Sequence, residues 1–411
     1  MQRTNLPGQT QLLFLFLDEM LRVAFQITGD RQWVAGKNYL RNLFHAVREN
    51  ATGKLDLCIV SSSKQDSSNQ DVSSLGVDKV VRCEMPRRWS PSWALNGTLK
   101  RLVMTDKFAE RQLEKNGVHV LFGRELKFKY ARIATLSWLP DFQHHHFPEM
   151  FREEERRLRD EGFRQSIVAA SRVILPCNAA RDDFNAFLPE YTYKVRVTHP
   201  LSYIPETIYR LDPRTVVDQY HLPEKFIYLP NQFWIHKNHE AVFEALKILK
   251  DKGIKVTVVC TGYPGDYREA TYIAALWEKV SQWNIRDQLI YLGLIPREHV
   301  LLLIRQCICV INPSLFEGWG MSVDEARSVG KRVLVSDIPS HREQNPPQAL
   351  FFNPHDRSEL VEKLSRIWTE AIPGPDIQLE LESRNAQLER LGLFAQRFVS
   401  ICQEAYEDIN R

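Results

Sequence analysis

The sequence has little of what would place it in a membrane, a disulfide scaffold or a nucleotide-redox class. Its only candidate for targeting, the apolar run LLFLFL at 12–17, is far too short to span a bilayer and is followed at once by Asp18 and Glu19. The seven cysteines are odd in number, contain no Cys-x-x-Cys pair and sit partly in apolar runs such as VTVVC and CICVI, so they read as reduced, buried thiols of a cytosolic chain. No Gly-x-Gly-x-x-Gly opens a helix after the first strand-like run, which argues against a dinucleotide oxidoreductase. No Asp-x-Asp occurs anywhere, so the paired aspartates that bridge a diphosphate through Mg²⁺ are missing. The Asn-x-Thr sequons at Asn50 and Asn96 are read as chance in a cytosolic protein.

What is present is the composition of a globular protein too long for one core: 411 residues, 44% hydrophobic and 26% charged. Charge is unevenly shared. Residues 1–200 carry 30 Lys and Arg against 23 Asp and Glu, while the remainder carries 24 against 28. The basic first half suits an anionic partner, such as a phospholipid-linked acceptor or a membrane surface, as well as plain unequal sharing. Strand-like runs alternate with helix-period segments nearly throughout, the mark of doubly wound α/β architecture. Strands are expected at 21–27, 55–61, 79–82, 118–122, 132–137, 172–176 and 194–198, with helices at 37–48, 99–115, 153–170 and 179–188. The Ser-rich stretch 61–75 reads as a surface loop. A second series of strands is expected at 226–229, 255–260, 289–292, 307–311, 332–335 and 349–352, and a long last helix at 379–408. Residues 200–219, with Pro205 and Pro213, read as a hinge. Two such halves put a ligand at the facing C-terminal ends of their strands.

The most informative stretch is INPSLFEGWGMSVDEARSVGKRVLVSD, 311–337. A buried strand ends at Pro313, a loop carries Glu317, Gly318 and Gly320, and a helix starts near Met321. Glycines let the backbone approach a ligand, and free amides at a helix start suit phosphate or sugar oxygens. Glu317 on the loop and Glu325 in the early helix can face one cleft. Carboxylates only accept hydrogen bonds, which matches the paired hydroxyl donors of a hexose and a ribose. The second stretch is YLPNQFWIHKNHEAVFEALKIL, 228–249, with Lys237 just ahead of a helix. A cation is disfavoured at that helix end unless something anionic meets it, so Lys237 suits a departing diphosphate.

Through Phe316, Glu317, Gly318, Gly320, Glu325, Ala326 and Gly330 the first stretch resembles the E-x7-E element of the retaining GT-B glycosyltransferases of family 4, which include many bacterial hexosyl- and mannosyltransferases. The resemblance implies that Glu317 contacts the transferred hexose, Glu325 the ribose, and the amides at Gly320 and Met321 the sugar and diphosphate. Lys237 resembles the family's lysine in the loop after the first strand of the C-terminal domain. Asn231 and Gln232 stand where most members place a Gly-Arg pair, a departure shared with a subset carrying the NQFW…HKNH form. One cation plus amide donors is then expected to hold the diphosphate. More weakly, RQWVAGKNYLRN at 31–42 resembles the glycine loop after the first strand, with Gly36 near donor phosphate. WLPDFQHHHFPEMF at 138–151 resembles the His-Asp region, with Asp141 as its Asp and Pro140 where many relatives have His. His144, His146 and Trp234 are candidate acceptor contacts. Adjacent imidazoles point apart, so no metal site is expected from His144, His145 and His146. Loops at Gly262 and Leu294 are expected near the base.

Two Rossmann-like domains are therefore expected, 1–204 for the acceptor (1–19 an extension) and 205–385 for the nucleotide sugar, with 386–411 as a helix returning to the first domain. The resemblance implies a retaining, metal-independent hexosyltransferase with Glu317, Lys237 and Asp141 in catalytic roles. A donor such as GDP-mannose or UDP-glucose and a glycan or lipid-linked hydroxyl acceptor are expected, with no cofactor, no nucleic acid, and a cytoplasmic location in peripheral contact with the inner membrane face. A GT-B nucleotide-sugar epimerase or a non-catalytic nucleotide-sugar-binding scaffold are the competing readings.

Overall fold

The structure, a computed structural model, describes residues 20–26, 34–61, 77, 79–83 and 105–411. The extension at 1–19, the sequon at Asn96, the Ser-rich stretch (Ser61 apart), the start of the glycine segment and residues 99–104 of the second expected helix lie outside them.

Seven short, parallel strands build the first sheet: β1 (Leu21–Gln26), β2 (Leu55–Ser61), β3 (Val80–Arg82), β4 (Val120–Gly123), β5 (Ala134–Trp138), β6 (Arg172–Leu175) and β7 (Val195–Val197). Their order is β3-β2-β1-β4-β5-β6-β7. Six more build the second: β8 (Ile227–Leu229), β9 (Val258–Cys260), β10 (Leu289–Tyr291), β11 (Cys309–Asn312), β12 (Val333–Ser336) and β13 (Leu350–Phe352), in the order β10-β9-β8-β11-β12-β13. Neighbouring strands pair in parallel throughout both sheets. Strands such as VLF and CVIN are apolar on both faces because helices cover both sides of a parallel sheet. In each sheet the strand order reverses once, between β1 and β4 and between β8 and β11. In such sheets ligands bind in the crevice that opens there.

Among the helices, α1 (Val34–Asn50), α2 (Lys107–Lys115), α3 (Gln143–His146), α4 (Glu153–Ala169) and α5 (Asn178–Phe187) belong to the first sheet. The expected hinge is shorter than the prolines suggest. Residues 206–219 fold into α6 (Glu206–Arg210) and α7 (Arg214–Gln219), whose Ile208, Val216 and Val217 pack into the core of the second sheet. Leu201 still belongs to the core of the first and Ile204 to that of the second, so the chain crosses between them. The prolines start the two short helices, where a missing N–H costs nothing.

The second sheet carries α8 (His239–Asp251), α9 (Tyr272–Gln282), α10 (Arg297–Gln306), α11 (Met321–Val329), α12 (Pro339–Gln344) and α13 (Arg357–Glu370). The last helix, α14 (Ile377–Asn410), starts in the second domain, where the buried Glu380 receives Arg305 at 2.7 Å. It ends in the first, where Phe394, Phe398, Ile401 and Cys402 join the core around Phe25 and Leu43. Six cysteines are buried; Cys83 is half-buried, and none is bridged. No described helix is long and apolar enough to cross a membrane.

Candidate active site

The loops that follow β8, β9, β10 and β11 emerge side by side because those strands are adjacent and parallel. They carry Asn231 and Lys237, Gly262, Leu294, and Glu317 respectively, so sheet topology gathers four segments that are far apart in sequence. Lys237 and Glu317 flank the point where strand order reverses.

Glu317 is the best-held group. Its Oε1 accepts from Lys237 Nζ at 2.6 Å, from Ser314 Oγ at 2.7 Å and from Asn312 Nδ2 at 3.3 Å. Its side chain is only 8% exposed. Burial by itself would raise the carboxyl, but the Lys237 ammonium and these donors hold it below its ordinary value, so it is an anion at neutral pH. Asn312 Nδ2 also donates to Ser322 Oγ (3.1 Å), which donates to Asn231 Oδ1 (3.0 Å). That continuous network ties Glu317 to Asn231, with the buried amide of Asn231 left without a partner among the described residues.

Gly320 precedes α11 with φ of +88°, the left-handed region where a side chain is strained, and a Cβ there would also press on His341. The turn frees the first amides of α11. Glu325 lies one turn on, its Oε1 accepting from Arg297 Nη1 at 2.6 Å. Burial raises the Glu325 carboxyl above its ordinary value, an effect that Arg297 opposes. Arg297 Nη2 is buried without a partner among the described residues. Sequence reasoning missed Arg297, which no motif marks, although it follows the YLGLIP segment directly. It also missed His341. The His341 Nδ1 donates to the Ser336 carbonyl (2.9 Å), which leaves a buried, unpaired Nε2 acceptor near Gly320.

The first domain closes on this site. A Cβ at Gly318 would lie 2.2 Å from the Pro140 carbonyl oxygen and 3.2 Å from Asp141 Cβ, so Gly318 is required by the approach of the two domains. Cys177 Sγ donates to the Gly318 carbonyl at 3.1 Å. The Glu343 carboxylate accepts the Asn178 amide that starts α5 (2.8 Å) and the His199 ring (2.7 Å). Asp141 therefore shares one cavity with Glu317.

The remaining expected residues are placed as follows. Gly36 is in the first turn of α1 rather than in a loop, because the helix already starts at Val34. Gly262 is packed against the Asn231 backbone, while Leu294 is 69% exposed on the neighbouring loop. Trp234 packs beside His236 and the Arg268 guanidinium, outside the Asp141–Glu317 cavity. His146 lines that cavity, but His144 is buried beside Phe163 and does not. The adjacent imidazoles do not all point apart. His144 and His145 both reach Asp160 Oδ1, at 3.0 and 2.7 Å, because in the short helix α3 their rings meet edge to face; His146 turns away to Asp183. His144, His145 and Asp160 are thus the described residues spaced to hold a metal ion.

The architecture is that of the GT-B fold, two parallel-sheet α/β domains. Comparison with known proteins agrees. Residues 219–378 match the family model for glycosyl transferases group 1. The E. coli serotype-specific mannosyltransferase WbdA is 28% identical over 170 residues, 41% of this chain and 20% of WbdA. The O-antigen chain mannosyltransferase RfbU of Salmonella typhimurium is 25% identical over 134 residues, 33% of this chain and 36% of RfbU. The chain thus spans a fifth to about a third of the curated relatives it matches. Among solved structures, a Rickettsia africae glycosyltransferase superposes with a TM-score of 0.62 at 14% identity, covering 95% of this chain and 99% of that one. Anabaena HepE in complex with UDP and glucose gives 0.61 at 15% identity with the same coverage. The match to the glycosyl transferases group 1 model is thus confined to the second domain, and the curated relatives named here are mannosyltransferases.

Proposed function

We propose that the protein is a retaining, metal-independent glycosyltransferase that moves a hexose, of mannose or glucose type, from a nucleotide-diphosphate sugar to a hydroxyl acceptor. The observation that carries this reading is the buried Lys237–Glu317 pair beside the freed amides of α11. Glycosyl transfer builds positive charge at the sugar and negative charge on the leaving diphosphate. When the donor enters, the Lys237 ammonium swings its charge to the diphosphate, the α11 amides add fixed donors, and Glu317 accepts from the hexose hydroxyls. Glu325 accepts from the ribose, with Arg297 holding it in place. The Asn231 amide, unpartnered among the described residues, adds a donor at the place where the resemblance puts the family's Gly-Arg pair.

Retention follows the family resemblance: the acceptor attacks on the leaving-group face and the departing phosphate takes its proton. HepE's complexes with UDP and with UDP-glucose support a nucleotide-sugar donor here. WbdA and RfbU favour mannose and a role in polysaccharide assembly. The location is cytoplasmic, with the basic first half in peripheral contact with a membrane face.

The test is incubation with UDP- and GDP-hexoses and glycan acceptors in excess chelator, following nucleotide release and, by NMR, the anomer formed. Transfer with retained configuration is expected. A reversible change of the donor's own sugar without an acceptor product would make it an epimerase instead.

A further inference from the structure

The cavity that joins Asp141 to Glu317 has a charge the basic first half does not foretell. It has a volume of about 340 Å³ and lies between the loop after β11 and the start of α5. Among the described residues four carboxylates line it, those of Asp141, Asp182, Asp183 and Glu317, and no lysine or arginine does. Lys237 neutralises Glu317 from the side, and His146 meets Asp183 at 2.7 Å. Among the described residues, Asp141 and Asp182 have no cationic partner. The lining also carries apolar side chains, Phe147, Phe316, Ile338 and Pro339, and His146 packs on the Phe316 ring at 5.0 Å.

We infer that this cavity is an acceptor subsite selecting a neutral, hydroxyl-rich saccharide, and that Asp182 and Asp183 are its specificity residues, excluding acceptors that carry phosphate or carboxylate there. This rests on the proposed transferase function and narrows it. Carboxylates only accept hydrogen bonds, and sugar hydroxyls only need acceptors to give their protons away. Aromatic and aliphatic side chains suit the C–H face of a pyranose. An anion would face like charges across a partly dehydrated space, where such juxtaposition is strongly unfavourable. The anionic acceptor suggested by the charge of residues 1–200 is therefore not what this cavity fits.

The test is binding to the full chain without donor, so that it does not depend on turnover. Saturation-transfer NMR would compare a neutral mannotetraose with the same sugar bearing a terminal 6-phosphate. The neutral sugar is expected to bind at least about tenfold more tightly. Asp182→Asn, at an exposed position whose change does not threaten folding, and Asp183→Asn should each improve the phosphorylated sugar's relative affinity several-fold, with thermal melting used to confirm the fold. Equal or tighter binding of the phosphorylated sugar, or a ratio untouched in Asp182→Asn, overturns the inference. Nucleotide-sugar binding measured separately reports on the transferase reading, so the two can fail independently.

Discussion

Lys237 Nζ and Glu317 Oε1 lie 2.6 Å apart, joining two loops separated by 80 residues across the switch point of the second sheet. With side chains 15% and 8% exposed, each is the other's main compensation for burial. Lys237→Ala should therefore do two things. It should lower the rate of transfer by roughly a hundred- to a thousandfold, the usual cost of one lost electrostatic donor. It should also destabilise the fold by about 3–5 kcal/mol, because Glu317 is left as an unpaired buried charge. A Lys237→Met, Glu317→Gln double variant should recover most of the stability in a melting curve and none of the transfer.

Acidification should act on Glu325 before Glu317. Burial raises the Glu325 carboxyl, so it protonates first as pH falls and can then donate as well as accept; Glu317, held low by Lys237, stays ionised further into acid. The expected result is a donor KM that rises on the acid side with less change in kcat. In Glu325→Gln that acid limb should vanish from the KM profile.

Gly318→Ala should force the domains apart, since the added methyl would meet the Pro140 carbonyl. Scattering should show a larger radius of gyration, and transfer should drop at least tenfold, because small misplacements of reacting groups are costly. Gly320→Ala carries instead a local strain of about 1 kcal/mol from its positive φ.

The contact between Glu343, the start of α5 and His199 should respond to pH with a definite sign. The two backbone amides and His199 lower the Glu343 carboxyl in spite of its burial. A lowered folded value means the contribution is complete above the ordinary carboxylate range and is lost as pH falls through the folded value. The protection factors of the Asn178 and Ala179 amides, relative to intrinsic exchange at each pH, should fall in acid, and Glu343→Gln should lower them at neutral pH.

Much of the fold was legible in the sequence. All thirteen strands fall within two or three residues of their expected places, because fully covered parallel strands read as short apolar runs between helical periods. The E-x7-E segment identified Glu317 and Glu325 because a glycine loop entering a helix leaves a local trace. Arg297, His341 and Glu343 left none. Each is one polar residue on an ordinary helix, and only the strand order brings it to the crevice. The hinge was overdrawn because Pro205 and Pro213 break a chain and start a helix with equal ease. The imidazoles failed differently: three in a row suggest divergence, yet side-chain rotation brings two of them to Asp160.

Metal independence can be checked at His144, His145 and Asp160. Excess EDTA should leave the transfer rate unchanged, and elemental analysis of the purified chain should find less than one zinc per molecule. Loss of transfer restored by zinc would instead give that cluster a part in the reaction.

The most direct measurement is thermal shift with UDP- and GDP-sugars, without metal, on the wild type and on Lys237→Ala and Glu317→Gln. A ligand at about a hundred times its Kd stabilises by about 2.7 kcal/mol, a clear rise in melting temperature. One nucleotide sugar is expected to give that rise in the wild type and little or none in either variant. A wild type that no nucleotide sugar stabilises, or variants that respond as fully as the wild type, would contradict a donor site built on this pair.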